Sequence, residues 1–175
     1  LKWQLTPNKP KWPEWAPSPL PQDEPPQRVL GEKIRFAFVG HASWLIQTAG
    51  LNILIDPVWS ERASPVTFAG PKRHNDPGIS FDKLPPIDVV LVSHGHYDHL
   101  DMPTLSKLAA KNSPRVITPL GNDLVMKGGD SAINASGHDW DDRVEIGNGL
   151  AATLVRTRHW SARGVFDRNK TLWAS

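Results

Sequence analysis

Apolar and polar positions alternate along Ile34-Arg35-Phe36-Ala37-Phe38-Val39, a period of two that predicts a strand with one buried face. The pattern recurs in Ser43-Trp44-Leu45-Ile46-Gln47-Thr48 and in Leu51-Asn52-Ile53-Leu54-Ile55-Asp56, and Ala49-Gly50 between them predicts a hairpin. Asp88-Val89-Val90-Leu91-Val92-Ser93 differs, because it is apolar without interruption and rich in β-branched residues, as a strand covered on both faces should be. Pro103 to about Lys111 predicts a helix, with Pro at the first helical position and Asp101 just before it. Arg115-Val116-Ile117-Thr118 predicts a strand and residues 120–127 a short helix ended by Gly128-Gly129. Ile133 to Asp142 predicts a short strand and turn, and 143–146 with 150–157 a second hairpin around Gly147-Asn148-Gly149. Thr171-Leu172-Trp173-Ala174-Ser175 reads as a last strand. This alternation predicts an α/β fold with mixed strand directions.

Two stretches break the periodicity. Residues 1–27 hold eight of the 17 prolines, which excludes a regular helix or a central strand and predicts an extended arm. Trp3, Trp12 and Trp15 in this arm are expected to pin it to the domain surface; anchoring at a lipid interface is the alternative. Residues 57–86 are rich in Pro, Gly and charge, and a loop of that length is usually functional or disordered.

The 175 residues fit one domain. With no Cys there are neither disulfides nor thiolate metal ligands. Twenty Lys and Arg against 18 Asp and Glu give a net charge of +2, and the basic residues are scattered, so no nucleic-acid partner is expected. No apolar run is long enough for a transmembrane helix, and no signal peptide is visible. The expected location is cytoplasmic, with peripheral membrane contact left open.

The chemistry concentrates in His94-Gly95-His96-Tyr97-Asp98-His99, three imidazoles and one carboxylate placed just past the C-terminal end of a buried strand, where open α/β sheets place their sites. Neutral imidazole and carboxylate suit zinc and similar divalent ions. His94 and His96, two apart in an extended segment, lean to the same side. Asp98 and His99 follow as the chain turns toward a helix, so the spacing suggests a split site for two ions. His159, past the second hairpin, is a ligand or a surface residue on sequence alone. Asp56 is either an ordinary turn residue or an acceptor for a ligand imidazole. His41 could lie near the metals, contact substrate or make a structural hydrogen bond. Lys72 and Arg73 could meet a phosphate or be solvated. Tyr97 could bond a leaving oxygen or pack. His138 is expected to face solvent.

The six-residue run resembles the H-x-H-x-D-H signature of the metallo-β-lactamase superfamily. Gly40-His41-Ala42-Ser43-Trp44, Ile55-Asp56-Pro57, Arg62-Ala63-Ser64-Pro65, Gly70-Pro71-Lys72-Arg73, Leu84-Pro85-Pro86-Ile87-Asp88 and His159-Trp160-Ser161 are similar to one branch. That branch holds N-acyl-phosphatidylethanolamine-hydrolysing phospholipase D and RomA-like or L-ascorbate-6-phosphate-lactonase-like hydrolases. The resemblance implies an αββα sandwich, of which residues 28–175 would be mainly the first half. It implies that His94, His96 and His159 bind one metal and that Asp98 and His99 bind a second, with Asp98 and His99 also catalytic. It favours Asp56 as the acceptor that orients a ligand. A bridging Asp and a final His of the family would lie beyond Ser175, and the chain opens at Leu1, so a fragment completed by a C-terminal half or by a second copy is expected. The implied activity is hydrolysis of a small or lipid-like phosphodiester by metal-activated water, with two zinc ions, or iron or manganese. A sugar-phosphate lactonase is the alternative, and a catalytically inactive metal-binding half-domain is the reading from another class.

Overall fold

The computed structural model describes residues 13–175, which leaves Trp3, Trp12 and the start of the arm outside the described residues. Strands β1 (Ile34–Gly40), β2 (Ser43–Thr48) and β3 (Leu51–Ile55) form an antiparallel meander. Strands β4 (Val89–Leu91), β5 (Arg115–Pro119) and β6 (Ala135–His138) then add in parallel, giving a six-stranded sheet in chain order. Helices α1 (Met102–Asn112) and α2 (Asn122–Gly129) make the β4–β5 and β5–β6 crossovers that parallel neighbours require, and the long loop 56–88 makes the β3–β4 one. Strands β7 (Arg143–Gly147) and β8 (Leu150–Thr153) form a separate two-stranded sheet.

Register sorts the side chains into two cores. Leu54, Val90 and Val116 align across β3, β4 and β5 and pack with Leu105, Leu108 and Met126 of the two helices. Ile53, Val89 and Ile117 point the other way, against Val144, Leu154 and Ala174. Each fully buried side chain of this size stabilises the fold by roughly 1.5–3 kcal/mol. Because β4 has a core on each face, it shows no alternation. The second cover runs out toward β1, where Phe36 and Phe38 are at least half exposed.

Several boundaries differ from the expectation. Strand β4 stops at Leu91, because Ser93 gives its N–H to the Asp56 carboxylate at 2.7 Å and leaves the ladder. Helix α1 begins one residue earlier, at Met102, which puts Pro103 second. Gly128-Gly129 lie inside the last turn of α2, and Asp130 closes it. Strand β8 ends at Thr153, since Leu154 turns to exchange backbone hydrogen bonds with Asp141 and Asp142 at 2.8 and 3.0 Å. The segment 171–175 is not a strand; Ser175 and Val155 exchange backbone hydrogen bonds and Ala174 donates to Ser93 O at 3.0 Å.

Residues 13–27 contain no helix or strand. Backbone bonds hold this part of the arm, from Ala16 N to His74 O and from Asp23 N to Gly78 O, both 2.7 Å, together with an Asp23–Arg35 ion pair. Trp15 is half exposed, so main-chain polar groups fix this part of the arm more than the indole does.

Candidate metal centre

The loop that follows β4 is shaped from three directions. From below, Asp56 accepts Ser93 N–H, Ser93 Oγ–H and His99 Nδ1–H, each at 2.7 Å. From the C-terminal side, the buried Ser161 hydroxyl accepts Gly95 N–H at 3.0 Å, and Arg163 Nη1 donates to Gly95 O and Leu100 O at 2.8 and 2.9 Å. From α2 comes the fully buried Asn122. A Cβ on Gly95 would lie 2.9 Å from Ser161 Oγ and 3.0 Å from Asn122 Oδ1, so only glycine fits between the two histidines.

This scaffold gathers two clusters. In the first, His94 Nε2 lies 2.8 Å from His96 Nδ1 and 3.0 Å from His159 Nε2. In the second, Asp98 Oδ2 lies 2.8 Å from His41 Nε2 and 3.7 Å from His99 Nε2. The split between His94/His96 and Asp98/His99 thus appears in space, His159 joins the first pair, and His41 joins the second. His41 gets there because the β1–β2 register shifts between Phe38 and Gly40, and the chain then takes positive φ at Gly40 and His41 (+145° and +51°). Bulges and strained residues of this kind re-aim side chains beside functional sites.

Electrostatics favour the neutral, ligand-ready form of His94 and His96 and the protonated form of His99. Burial, reinforced by the neighbouring His99, His96 and His159, holds the His94 pKa down to about 3. Burial and His159 lower His96 as well. Burial opposes protonation of His99 too, but the Asp56 hydrogen bond and charge, with Asp98, raise it. Burial works against ionisation of Asp98, yet His99, a backbone N–H and His41 outweigh it and lower the pKa. When His99 is neutral, Asp56 keeps its proton on Nδ1 and leaves the lone pair on Nε2, on the side of Asp98. In the first cluster three ring nitrogens converge in a partly buried place without a carboxylate, and the other ring nitrogen of His96, Nε2, is buried without a hydrogen-bond partner. An all-imidazole set beside a His–Asp set fits divalent cations such as zinc, and no thiolate is present.

The remaining candidates divide. Tyr97 packs on the Arg163 guanidinium at 4.0 Å. Lys72 turns outward to an ion pair with Glu61 at 2.9 Å, whereas Arg73 turns inward. His41, Tyr97, Asp98, Lys72 and Arg73 share a cavity of about 510 Å³ with His96 and Trp160. His138 lies away from both clusters, half-buried against Ser136 Oγ at 3.0 Å and not in solvent as expected. Sequence reasoning missed Ser93, whose Oγ lies between Asp56 and His94 Nδ1, and the clamp formed by Ser161 and Arg163. Ser161 had a signal, its place two residues after His159, but Arg163 had none.

A sequence profile of the family described as Beta-lactamase superfamily domain matches residues 51–175, well over half of the chain. The chain belongs to the metallo-β-lactamase superfamily. It is 36% identical over 163 residues to an uncharacterized protein of Mycobacterium tuberculosis, which covers 91% of this chain and 42% of that protein. It is also 36% identical over 146 residues to N-acyl-phosphatidylethanolamine-hydrolyzing phospholipase D 1 of Caenorhabditis elegans, covering 78% of this chain and 41% of the nematode protein. The chain therefore spans less than half the length of these relatives. Among solved structures, Igni18, a metallo hydrolase of Ignicoccus hospitalis, superposes with a TM-score of 0.53 at 18% identity over 75% of this chain and 52% of Igni18, which shows a shared fold. The mixed α/β fold of this superfamily agrees with the architecture expected from the sequence.

Proposed function

We propose that this protein is a metal-dependent hydrolase of phosphodiesters, with His94, His96 and His159 holding one divalent cation and Asp98 and His99 contributing to a second. One observation carries the reading. Each donor cluster takes two residues from one loop, and the His94 and His99 rings, one from each, have centroids 4.1 Å apart. That proximity suits a two-ion centre, which would stabilise charge on the reacting oxygens.

Bound cations would polarise a phosphoryl oxygen and make water at the site more acidic. The chain's own groups do the rest. Asp98, ionised and open to the cavity, accepts a proton from the attacking water. His99, oriented by Asp56, presents Nε2 without rotating. His41 hydrogen-bonds Asp98 and fixes which carboxylate oxygen stays free. Tyr97 lines the same cavity, where its hydroxyl would be available to a leaving oxygen. The name of the nematode relative specifies hydrolysis of N-acyl-phosphatidylethanolamine, and a lipid-like phosphodiester is the substrate class proposed here. Zinc is the proposed metal. Peripheral contact with lipid is part of the proposal; among the described residues no helix is long and apolar enough to cross a membrane.

The test is a panel of a chromogenic phosphodiester, N-acyl-phosphatidylethanolamine and a sugar-phosphate lactone, run on zinc-loaded protein with and without a chelator. Chelator-sensitive phosphodiester cleavage, lost in His94→Ala and Asp98→Ala, supports the proposal. Lactone cleavage alone would move the reading to a lactonase.

The outer sheet face favours a second reading. Ile34, Phe36 and Phe38 form an apolar patch continuous with the partly covered second core. Such a patch is unusual on a free surface. In this reading the centre binds metal but turns over substrate only when further polypeptide, a C-terminal half or a second copy, covers that face. A monodisperse 19.4 kDa species with full activity would eliminate it.

A further inference from the structure

The loop between β3 and β4 crosses the mouth of the metal cleft, and its local pairing decides which of two adjacent cations faces in. Arg62 and Lys72 form an isolated antiparallel bridge, and Arg73 N–H donates to Glu61 O at 2.7 Å. Lys72 is thereby directed out to Glu61, in a pair whose side chains are both largely exposed. Arg73 is directed in. Its Nη2 donates to Val58 O at 2.7 Å, and its Nε is buried without a partner. Among the described residues no carboxylate lies within 4 Å of its guanidinium and no hydrogen bond is made by Nη1. Room for that nitrogen comes from Gly40, where a Cβ would stand 3.1 Å from it. The side chain lines the cavity that also holds His41, His96 and Asp98.

A half-buried cation without a counter-ion is costly, and burial indeed pushes its pKa below the usual arginine value despite Asp101 and Asp76 nearby. An incoming anion offsets that cost. The guanidinium also matches the geometry of phosphoryl oxygens better than an ammonium does. Resting on the proposed hydrolase reading, we propose that Arg73 is the anion anchor of the cleft: its Nη1–H holds a non-bridging oxygen of a phosphodiester monoanion placed beside the two metal clusters. Lys72, despite its adjacent position, takes no part.

The experiment compares binding of diphenyl phosphate, an anion, with methyl diphenyl phosphate, its neutral ester, to the full zinc-loaded chain by calorimetry after zinc content has been measured. The expected result is tighter binding of the anion, a loss of tenfold or more in Arg73→Met, an intermediate loss in Arg73→Lys, and less than a twofold change in Lys72→Met. The neutral ester should change by less than twofold throughout. Should Arg73→Met fail to fold, Arg73→Lys carries the test, with at least a threefold selective loss for the anion expected. Wild-type binding of the anion by either folded Arg73 variant, or no anion binding by zinc-loaded wild type, overturns the anchor while the metal centre stands. A chain that takes up no zinc overturns the hydrolase reading itself, and the anchor with it.

Discussion

Replacing Asp56 by Asn should change the proton position on His99 without changing the shape of the site. The carboxylate accepts three hydrogen bonds at 2.7 Å, from Ser93 N, Ser93 Oγ and His99 Nδ1, and its side chain is about 5% exposed. A carboxamide retains one acceptor, which Ser93 N–H takes. Its NH2 group then faces Ser93 Oγ, which can rotate to accept, and His99 Nδ1. That nitrogen must become an acceptor as well, which moves the ring proton to Nε2 and removes the lone pair aimed at the second cluster. The loss of charge-assisted bonding should destabilise the metal-free protein by about 1–2 kcal/mol. Losing the partner that orients a ligand typically weakens metal binding about 10- to 100-fold, and this loss should fall on the weaker of two zinc equivalents. Asp56→Ala should be more damaging, about 3–5 kcal/mol, because Ser93 N–H loses its acceptor and His99 Nδ1 keeps only the Ser93 hydroxyl at 3.4 Å. Urea unfolding gives the stabilities, a chelator titration gives the zinc affinities, and long-range nitrogen–proton NMR gives the tautomer. His99 retaining its Nδ1 proton in Asp56→Asn would refute the reasoning, as would zinc affinity within twofold of wild type.

Further consequences can be measured. Gly95→Ala should destabilise by about 1–3 kcal/mol and lower zinc affinity, since its Cβ meets Ser161 and Asn122 at about 3 Å; an unchanged unfolding midpoint would contradict the clamp. On acidification the second cluster should release its ion first, because His99, whose pKa is raised, takes up a proton at a higher pH than His94, held down to about 3; zinc release in one step, or in the reverse order, would oppose this. In the metal-free protein His94 should make stability fall as pH drops from 6.5 toward 3, since the unfolded chain binds a proton there and the folded one does not; a flat dependence that does not change in His94→Gln would count against it. Asp101→Ala should release the 59–60 segment, whose two backbone N–H groups its carboxylate accepts at 3.2 and 3.0 Å, at about 3 kcal/mol in stability, and should raise KM more than it lowers kcat; protection of those amides from hydrogen exchange would be the sign that it does not.

Strand–helix order, the continuous apolar run of β4, and the six-residue loop of histidines and Asp98 were all readable in the chain, because periodicity and residue spacing are local properties. Element ends were less so, since they depend on distant partners: Ser93 leaves its strand because Asp56, 37 residues away, takes its N–H. The pairing of His94, His96, Asp98 and His99 into two sets followed from spacing, but the place of His159 beside His94, 65 residues away, depends on how the 159–163 segment folds back. His41 was ambiguous because its aim depends on a bulge and two positive φ values that no pattern of hydrophobicity encodes. Lys72 and Arg73 look equivalent in sequence; one backbone bridge sends the first to solvent and the second into the cleft. By itself, then, the sequence determined which residue types gather as candidate ligands and on which loop. The tertiary structure decided which nitrogen of each ring faces the site, which carboxylate orients it and which cation points inward. The physical reason is that these depend on hydrogen bonds and burial between segments far apart in the chain, whereas spacing constrains only near neighbours.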